Sequence, residues 1–264
     1  MPQLGFGVWR VEDGEQVKHA VKHAIATGYR AIDTAAVYKN ERGVGEAIRE
    51  SNVPREELFI TTKVWNSDQG YESTLQAFET SLEKLGLDYI DLYLIHWPMP
   101  AENKFLDTYR ALETLYKEGR VRAIGVCNFH IHHLEELLAN CKVKPVLNQI
   151  ECHPFLTQEK LRVYCTEHNM FVEAWSPLMQ GGEVLHNEVI TKLATKYEKT
   201  PAQIIIRWHL QNNVIVIPKS VTPSRIEENF NVFDFTIQSE DMKKIDGLNQ
   251  NKRKGPDPDE FNVK

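Results

Sequence analysis

The 264-residue sequence has only four cysteines, Cys127, Cys141, Cys152 and Cys165, and no two stand in a C-x-x-C spacing. Scattered thiols of this kind do not form a disulfide framework, and they fit a reducing, cytoplasmic compartment. Long runs of lysine or arginine are missing, and the formal charge is −6. Nucleic acid and anionic membrane surfaces both want a basic face, so neither is expected as a partner. No apolar run reaches the length of a bilayer span, and the first residues lack a charged-then-apolar signal pattern. No G-x-G-x-x-G follows any apolar run, which leaves a Rossmann-type dinucleotide site unsupported.

What is present is ordinary in amount and regular in order. Hydrophobic residues make up 42% and charged residues 26%, and a chain of this length buries roughly three quarters of its unfolded surface. No metal or disulfide staple is needed. Short β-rich runs occur at Leu4–Val8, Tyr29–Asp33, Leu58–Lys63, Leu92–His96, Arg122–Val126, Val146–Ile150, Phe171–Trp175 and Val214–Pro218. Most are continuously apolar, as parallel strands covered on both faces should be. Helical patterns alternate with them over Glu15–Thr27, Tyr71–Leu85, Phe105–Glu118, Ile131–Leu138, Gln158–Glu167, Glu188–Tyr197 and Pro201–Gln211. Gly28, Gly86 and Gly119 close three of these, and Pro201 suits a first helical turn. Ser73-x-x-Gln76 has the form of a capping box. Eight strands with intervening helices, no linker and no repeat read as a single-domain (β/α)8 barrel, with a doubly wound open sheet as the rival. Residues 250–264 read as a C-terminal tail. The first strand begins within a few residues of Met1, so the barrel floor is expected to lack a plug.

Chemistry in such barrels sits at the C-terminal strand ends. There the second strand ends at Asp33 with Tyr38 in its loop, the third at Lys63, and the fourth at His96. A free tyrosine has a pKa near ~10, and a neighbouring Lys63 ammonium would lower it toward use as an acid–base group. Lys63 in turn needs a carboxylate to stay charged when buried, and Asp33 is placed to supply it. A neutral His96 could hold a carbonyl oxygen by hydrogen bonding. A lone Asp, Tyr, Lys or His at a strand end is usually structural, but four polar groups at one mouth are costly without a purpose.

At these residues the chain resembles the aldo-keto reductase superfamily from Leu4 to about Asn249. Asp33-Thr34-Ala35-x-x-Tyr38 with Asn40-Glu41 is similar to one family signature, and Asp91 through Pro98 (DLYLIHWP) to a second. Ile217-Pro218-Lys219-Ser220, followed by Arg225 and Glu228-Asn229, is similar to the cofactor signature. The resemblance implies a catalytic tetrad of Asp33, Tyr38, Lys63 and His96, with Tyr38 as general acid, and NADPH as cofactor. It implies that Asn128 and Gln149 hold the nicotinamide carboxamide and that Trp175 stacks on the ring. Ser176 and Leu178 would line the pyrophosphate path. Lys219, Ser220 and Arg225 would hold the 2′-phosphate, with Glu228 and Asn229 at the adenine. A cation pair with a serine suits a phosphate dianion. Two positions depart from the commonest pattern: Cys127 stands where serine is usual, near the carboxamide, and Trp175 where tyrosine is more frequent. Members with similar Ala-Trp-Ser-Pro-Leu segments resemble glyoxal, methylglyoxal and diketogluconate reductases, which implies small carbonyl or dicarbonyl substrates. The family tends toward monomers.

Other residues invite over-reading. His130-x-His132-His133 suggests a metal, but no carboxylate or thiol stands at fixed spacing to complete a ligand set, so a solvated helix start is the reading. Cys152 and His153 are adjacent on a strand and point to opposite faces, against a shared nucleophile site. Trp9, Trp65 and Trp97 each follow a strand and together read as an apolar substrate wall. Gln180-Gly181-Gly182 is a turn that could close over the cofactor. The expected function is reduction of a small carbonyl compound by NADPH. A non-catalytic NADPH-binding barrel serving as a redox sensor or subunit is the alternative. A metal-dependent or phosphate-sugar barrel enzyme is the third reading.

Overall fold

A computed structural model describes residues 1–264. Eight parallel strands run in chain order: β1 Phe6–Gly7, β2 Ala31–Asp33, β3 Phe59–Val64, β4 Ile90–Ile95, β5 Val121–Cys127, β6 Leu147–Glu151, β7 Phe171–Trp175 and β8 Val214–Val216. The two ends of this sheet meet. Leu4 forms a parallel bridge to Val216, and the Gly5 and Gly7 N–H groups donate to the Val216 and Pro218 carbonyls at 2.9 and 3.2 Å. That closure decides for the barrel over the open sheet.

Ten α-helices connect the strands: α1 Glu15–Thr27, α2 Glu41–Glu50, α3 Tyr71–Leu85, α4 Phe105–Lys117, α5 Ile131–Asn140, α6 Glu159–Glu167, α7 Glu188–Tyr197, α8 Pro201–Gln211, α9 Pro223–Phe230 and α10 Ser239–Asp246. Three of them, α2, α9 and α10, fall where the hydrophobic pattern alone assigns no helix. The capping-box reading at Ser73 is corrected: the helix starts at Tyr71 behind Gly70, and Ser73 Oγ donates to the Gln69 carbonyl instead. A full box does occur at α8, where Thr200 and Gln203 bond each other's backbone N–H groups.

Alternation along the parallel strands divides their side chains between two environments. One set meets the helices in a core cluster of 46 buried residues. The other faces into the barrel. Part of it is apolar and holds Leu92, Leu94, Leu147 and Ile215 with Cys127. The side chains of Asp33, Lys63, Gln149 and Glu173 are buried and hydrogen-bonded to one another across four strands. A buried apolar cluster and a buried polar network together form the frame on which the mouth is built.

Candidate active site

The polar network starts from β2 and β3, whose register sets Asp33 opposite Thr61, two residues before Lys63. Lys63 is fully buried, and its Nζ donates to Asp33 Oδ1 at 2.7 Å and to the Thr34 carbonyl at 2.8 Å. Burial works against the ammonium, but Asp33, Tyr38 and Cys127 outweigh it and hold the lysine above its ordinary range. Lys63 is therefore a permanent cation in a dry site, as the sequence suggests.

Tyr38 follows β2 on a single turn of 3-10 helix, Ala36–Tyr38. Lys63 Nζ lies 5.1 Å from the centre of its ring, and the His96 ring meets it edge-on at 5.7 Å. The expected lowering of the phenol is corrected. Burial pushes its acidity down and the pKa up, and the opposing pull of Lys63 is the smaller effect, so the phenol stays above its ordinary value. The loop carrying Tyr38 is tied down by Asn40. The Asn40 side chain accepts Thr34 Oγ1–H at 2.8 Å and donates to the Val8 and Val11 carbonyls at 2.9 and 3.0 Å.

His96 ends β4. Burial, then the Lys63 charge, pushes it well below its usual range, so the ring is neutral. Its Nδ1 is buried with no partner, and a proton there would be an unpaired buried N–H. The proton belongs on Nε2, which makes the ring a donor from that atom.

The next two strands bring amides to the same mouth. Asn128 takes a left-handed backbone, φ 62°, just after β5, and its Nδ2 donates to the His96 carbonyl at 3.0 Å. Its Oδ1 accepts the indole N–H of Trp175 at 2.8 Å. The substitution of tryptophan for tyrosine thus adds a hydrogen bond that ties the end of β7 to the loop after β5. Cys127 belongs to the apolar interior cluster and makes no hydrogen bond, so the departure from serine is a matter of packing inside the barrel. Gln149 donates both Nε2 protons downward, to Asp33 Oδ2 at 2.8 Å and Glu173 Oε2 at 2.7 Å. Glu173 was not singled out from sequence. It is 1% exposed, and burial with the nearby Asp33 raises its pKa to about 8.

Beyond Trp175 the chain turns sharply. Ser176 has φ 48°, and Leu178 follows partly buried against the core. After β8, Lys219 is exposed and Ser220 is buried, with Ser220 Oγ accepting the Thr222 N–H at 3.1 Å. Arg225, Glu228 and Asn229 lie at i, i+3 and i+4 on α9, one helix face. Neither Lys219 nor Arg225 pairs with a carboxylate, so both charges are free for an anion. Glu228 is partly committed, since its Oε1 accepts Thr200 Oγ1–H at 2.8 Å.

Two of the three tryptophans come together. Trp65 packs edge-on to His96 at 5.2 Å, and Trp97 stacks parallel to it at 6.5 Å. Phe261 of the tail lies 4.3 Å from Trp97 and 6.4 Å from Trp65, and completes an aromatic enclosure the sequence did not reveal. Trp9 makes no ring contact with this cluster and is 39% exposed, with the Arg10 guanidinium over its ring.

The tail reaches Phe261 by a chain of fixed points. Lys254 and Gly255 donate their N–H groups to the buried Glu151 carboxylate at 2.6 and 2.9 Å. Gly255 lies so close to Trp175 that a Cβ there would sit 2.5 Å from the indole Cη2. His130 then meets Asp257 at 3.2 Å, while His132 and His133 meet Asp259 at 3.1 and 3.3 Å. No carboxylate stands at fixed spacing from the three histidines in the sequence, but the reading of a solvated helix start is corrected: two carboxylates arrive from the tail. They act as a clasp: His133 Nδ1 accepts the His130 N–H at 3.1 Å, and its Nε2 lies 3.3 Å from Asp259 Oδ1 without a hydrogen bond to it. Past Phe261, Asn66 donates to the Val263 carbonyl at 2.7 Å and Lys264 pairs with Glu102 at 2.8 Å.

Residues 3–250 match the profile described as the Aldo/keto reductase family. The chain belongs to that family. It is 60% identical over 261 residues to the glyoxal reductase of Bacillus subtilis (strain 168), covering 99% of this chain and 94% of that protein. It is 58% identical over 263 residues to the 9,11-endoperoxide prostaglandin H2 reductase of Trypanosoma cruzi (strain CL Brener), covering 99% and 92%. Among solved structures, a Gox0644 mutant in complex with NADPH superposes with a TM-score of 0.94 at 47% identity, covering 99% of this chain and 94% of that one. Family membership makes the chain an oxidoreductase on a (β/α)8 barrel. No helix is long and apolar enough to cross a membrane.

Proposed function

We propose that this aldo/keto reductase reduces small aldehydes, ketones and dicarbonyls of the glyoxal type with NADPH, using Tyr38 as the proton donor. The observation that carries the reading is the buried Lys63–Asp33 pair, 2.7 Å apart, set beneath the Tyr38 ring and beside a neutral His96. When bound, NADPH supplies the hydride to the carbonyl carbon. The carbonyl oxygen gains negative charge as that happens, and His96 Nε2–H and the Tyr38 hydroxyl are the donors that meet it. Tyr38, held protonated by burial across the neutral range, gives up its proton only as the oxygen becomes basic. Lys63 then stabilises the phenolate left behind, and Asp33 keeps Lys63 in place.

The residues suit the cofactor. Asn128 and Gln149 would take the carboxamide, and Trp175 would stack on the nicotinamide. Ser176 and Leu178 would line the pyrophosphate path. Lys219, Ser220 and Arg225 would take the 2′-phosphate, the group that separates NADPH from NADH, and Glu228 and Asn229 would meet the adenine. Two unpaired cations on the surface support that preference. Trp65 and Trp97, with Phe261 over them, would form the wall against the substrate, and Trp9 would border it. We place the enzyme in the cytoplasm, supported by four free thiols, and read it as a monomer, as members of the family tend to be. No observation favours the sensor reading or a metal-dependent reaction.

The test is Tyr38→Phe, assayed by NADPH consumption with glyoxal, methylglyoxal and an aromatic aldehyde. The expected outcome is a fall in kcat of about 10²–10⁴-fold with NADPH affinity held within about twofold. Turnover at the wild-type rate would refute the proton-donor assignment.

A further inference from the structure

We propose that Glu173 is a positioning residue for the cofactor amide: together with Asp33 it holds Gln149 in the one orientation in which the mouth accepts a primary carboxamide. The inference rests on the NADPH reading above and adds to it a residue that contacts neither cofactor nor substrate.

The Gln149 side chain is buried, and its Nε2 has two protons. One goes to Asp33 Oδ2 at 2.8 Å and the other to Glu173 Oε2 at 2.7 Å. Asp33 alone would not fix the amide. Its other oxygen serves Lys63, and a single bond to Oδ2 would leave the second Nε2 proton buried and unpaired. A flipped amide would lose the bond to Asp33 and press its carbonyl oxygen against that carboxylate, keeping at most one bond, from the protonated Glu173 carboxyl. The amide is thus held with its nitrogen down, and Oε1, which accepts no hydrogen bond from the protein, is the atom left over.

Asn128 is committed in the opposite sense. Its Oδ1 is filled by the Trp175 indole N–H, and one Nδ2 proton is given to the His96 carbonyl. What remains is one N–H donor. The pair offers one acceptor from Gln149 and one donor from Asn128, the complement of a primary carboxamide with its NH2 toward Gln149 and its C=O toward Asn128. Without Glu173, Gln149 keeps a single bond, to Asp33, and one buried Nε2 proton without a partner, so the amide is held less firmly in the orientation that complements the carboxamide.

Glu173 faces Asp33 from β2, Lys63 from β3 and the Cys127 thiol from β5. Burial and Asp33 favour its protonated form, in which Oε2 still accepts the Gln149 proton. A carboxyl that keeps its proton in the folded chain after the unfolded chain has lost it stabilises the fold only at low pH. Its contribution is full below the ordinary value of 4.5 and is lost as pH rises to about 8.

The experiment compares wild type, Glu173→Gln and Glu173→Leu. It reads cofactor affinity by quenching of tryptophan fluorescence, and urea stability of the cofactor-free protein from pH 5 to 9. Glutamine keeps an acceptor for Gln149, so its NADPH Kd should stay within about threefold of wild type. Leucine removes the acceptor, and Kd should rise about tenfold for NADPH and NADH alike, an effect of about 1.4 kcal/mol, because both share the nicotinamide end. Wild type should lose stability relative to Glu173→Gln as pH rises through this range. A leucine variant with wild-type affinity overturns the assignment, as does a loss confined to NADPH. If the leucine variant does not fold, Glu173→Met replaces it in the same binding assay, and wild-type NADPH affinity there overturns the assignment equally. Failure of the wild type itself to bind NADPH overturns the underlying functional reading as well, which separates the two failures.

Discussion

At the scale of single residues, the site is governed by how many bonds each polar atom has already made. Trp175 illustrates this. Its indole N–H is spent on Asn128 Oδ1 at 2.8 Å, which orients both the ring and the amide. Trp175→Phe keeps an aromatic face but removes that donor. A hydrogen bond of this kind contributes about 1 kcal/mol and is made without the cofactor, so urea stability of the cofactor-free protein should fall by about that much, and NADPH Kd, read by calorimetry, should rise as the ring and the amide lose their fixed orientation. The pairing of Lys63 with Asp33 was legible in the sequence, because a buried lysine at a strand end demands a carboxylate. The Tyr38 shift was not, since the sequence shows which charge is near but not how much water is gone. Glu173 left a signal that could have been read: an acidic residue within an apolar strand, with the same parity as Trp175. Its partner Gln149 lies 24 residues away, so nothing local identifies what it bonds.

At the scale of elements, most strands and helices followed from periodicity and terminal glycines, and α1, α3, α7, α8 and β7 fell at the residues expected. The omissions have a cause. Helix α2, ERGVGEAIRE, carries two glycines that weaken its intrinsic preference, and one of them is there for packing. A Cβ on Gly45 would lie 2.0 Å from the Leu85 carbonyl oxygen at the end of α3. Contact with a neighbour's backbone is invisible in the local sequence. Gly45→Ala should therefore destabilise the protein by about 1–3 kcal/mol despite the better helix propensity of alanine. A lower urea midpoint would show it; an unchanged or higher midpoint would mean the two helices can part without cost.

At the scale of the whole molecule, the barrel supplies the walls and the tail supplies the cover. Eight strands were legible as a barrel because their runs alternate with helices, yet closure depends on a two-residue β1 and a single bridge that no pattern reveals. The route of residues 250–264 was equally hidden, since its fixed points are backbone N–H groups and aspartates that mean nothing without their partners. Removing the segment after Asn249 would leave the Glu151 carboxylate, which the tail's two N–H groups and His153 hold below the usual range against burial, short of two donors. It would also uncover both Trp97 and Trp175. The truncated chain should lose several degrees in Tm and bind NADPH and substrate more weakly, by thermal denaturation and by KM. Full affinity for both would exclude a covering role. One short strip of backbone, held at Gly255 against the proposed cofactor wall and at Phe261 against the proposed substrate wall, thus gives the two sites a common mechanical element. Whatever shifts that strip at one end must be felt at the other, and thermodynamics makes the effect mutual: the factor by which NADP+ tightens an inert carbonyl analogue must equal the factor by which the analogue tightens NADP+.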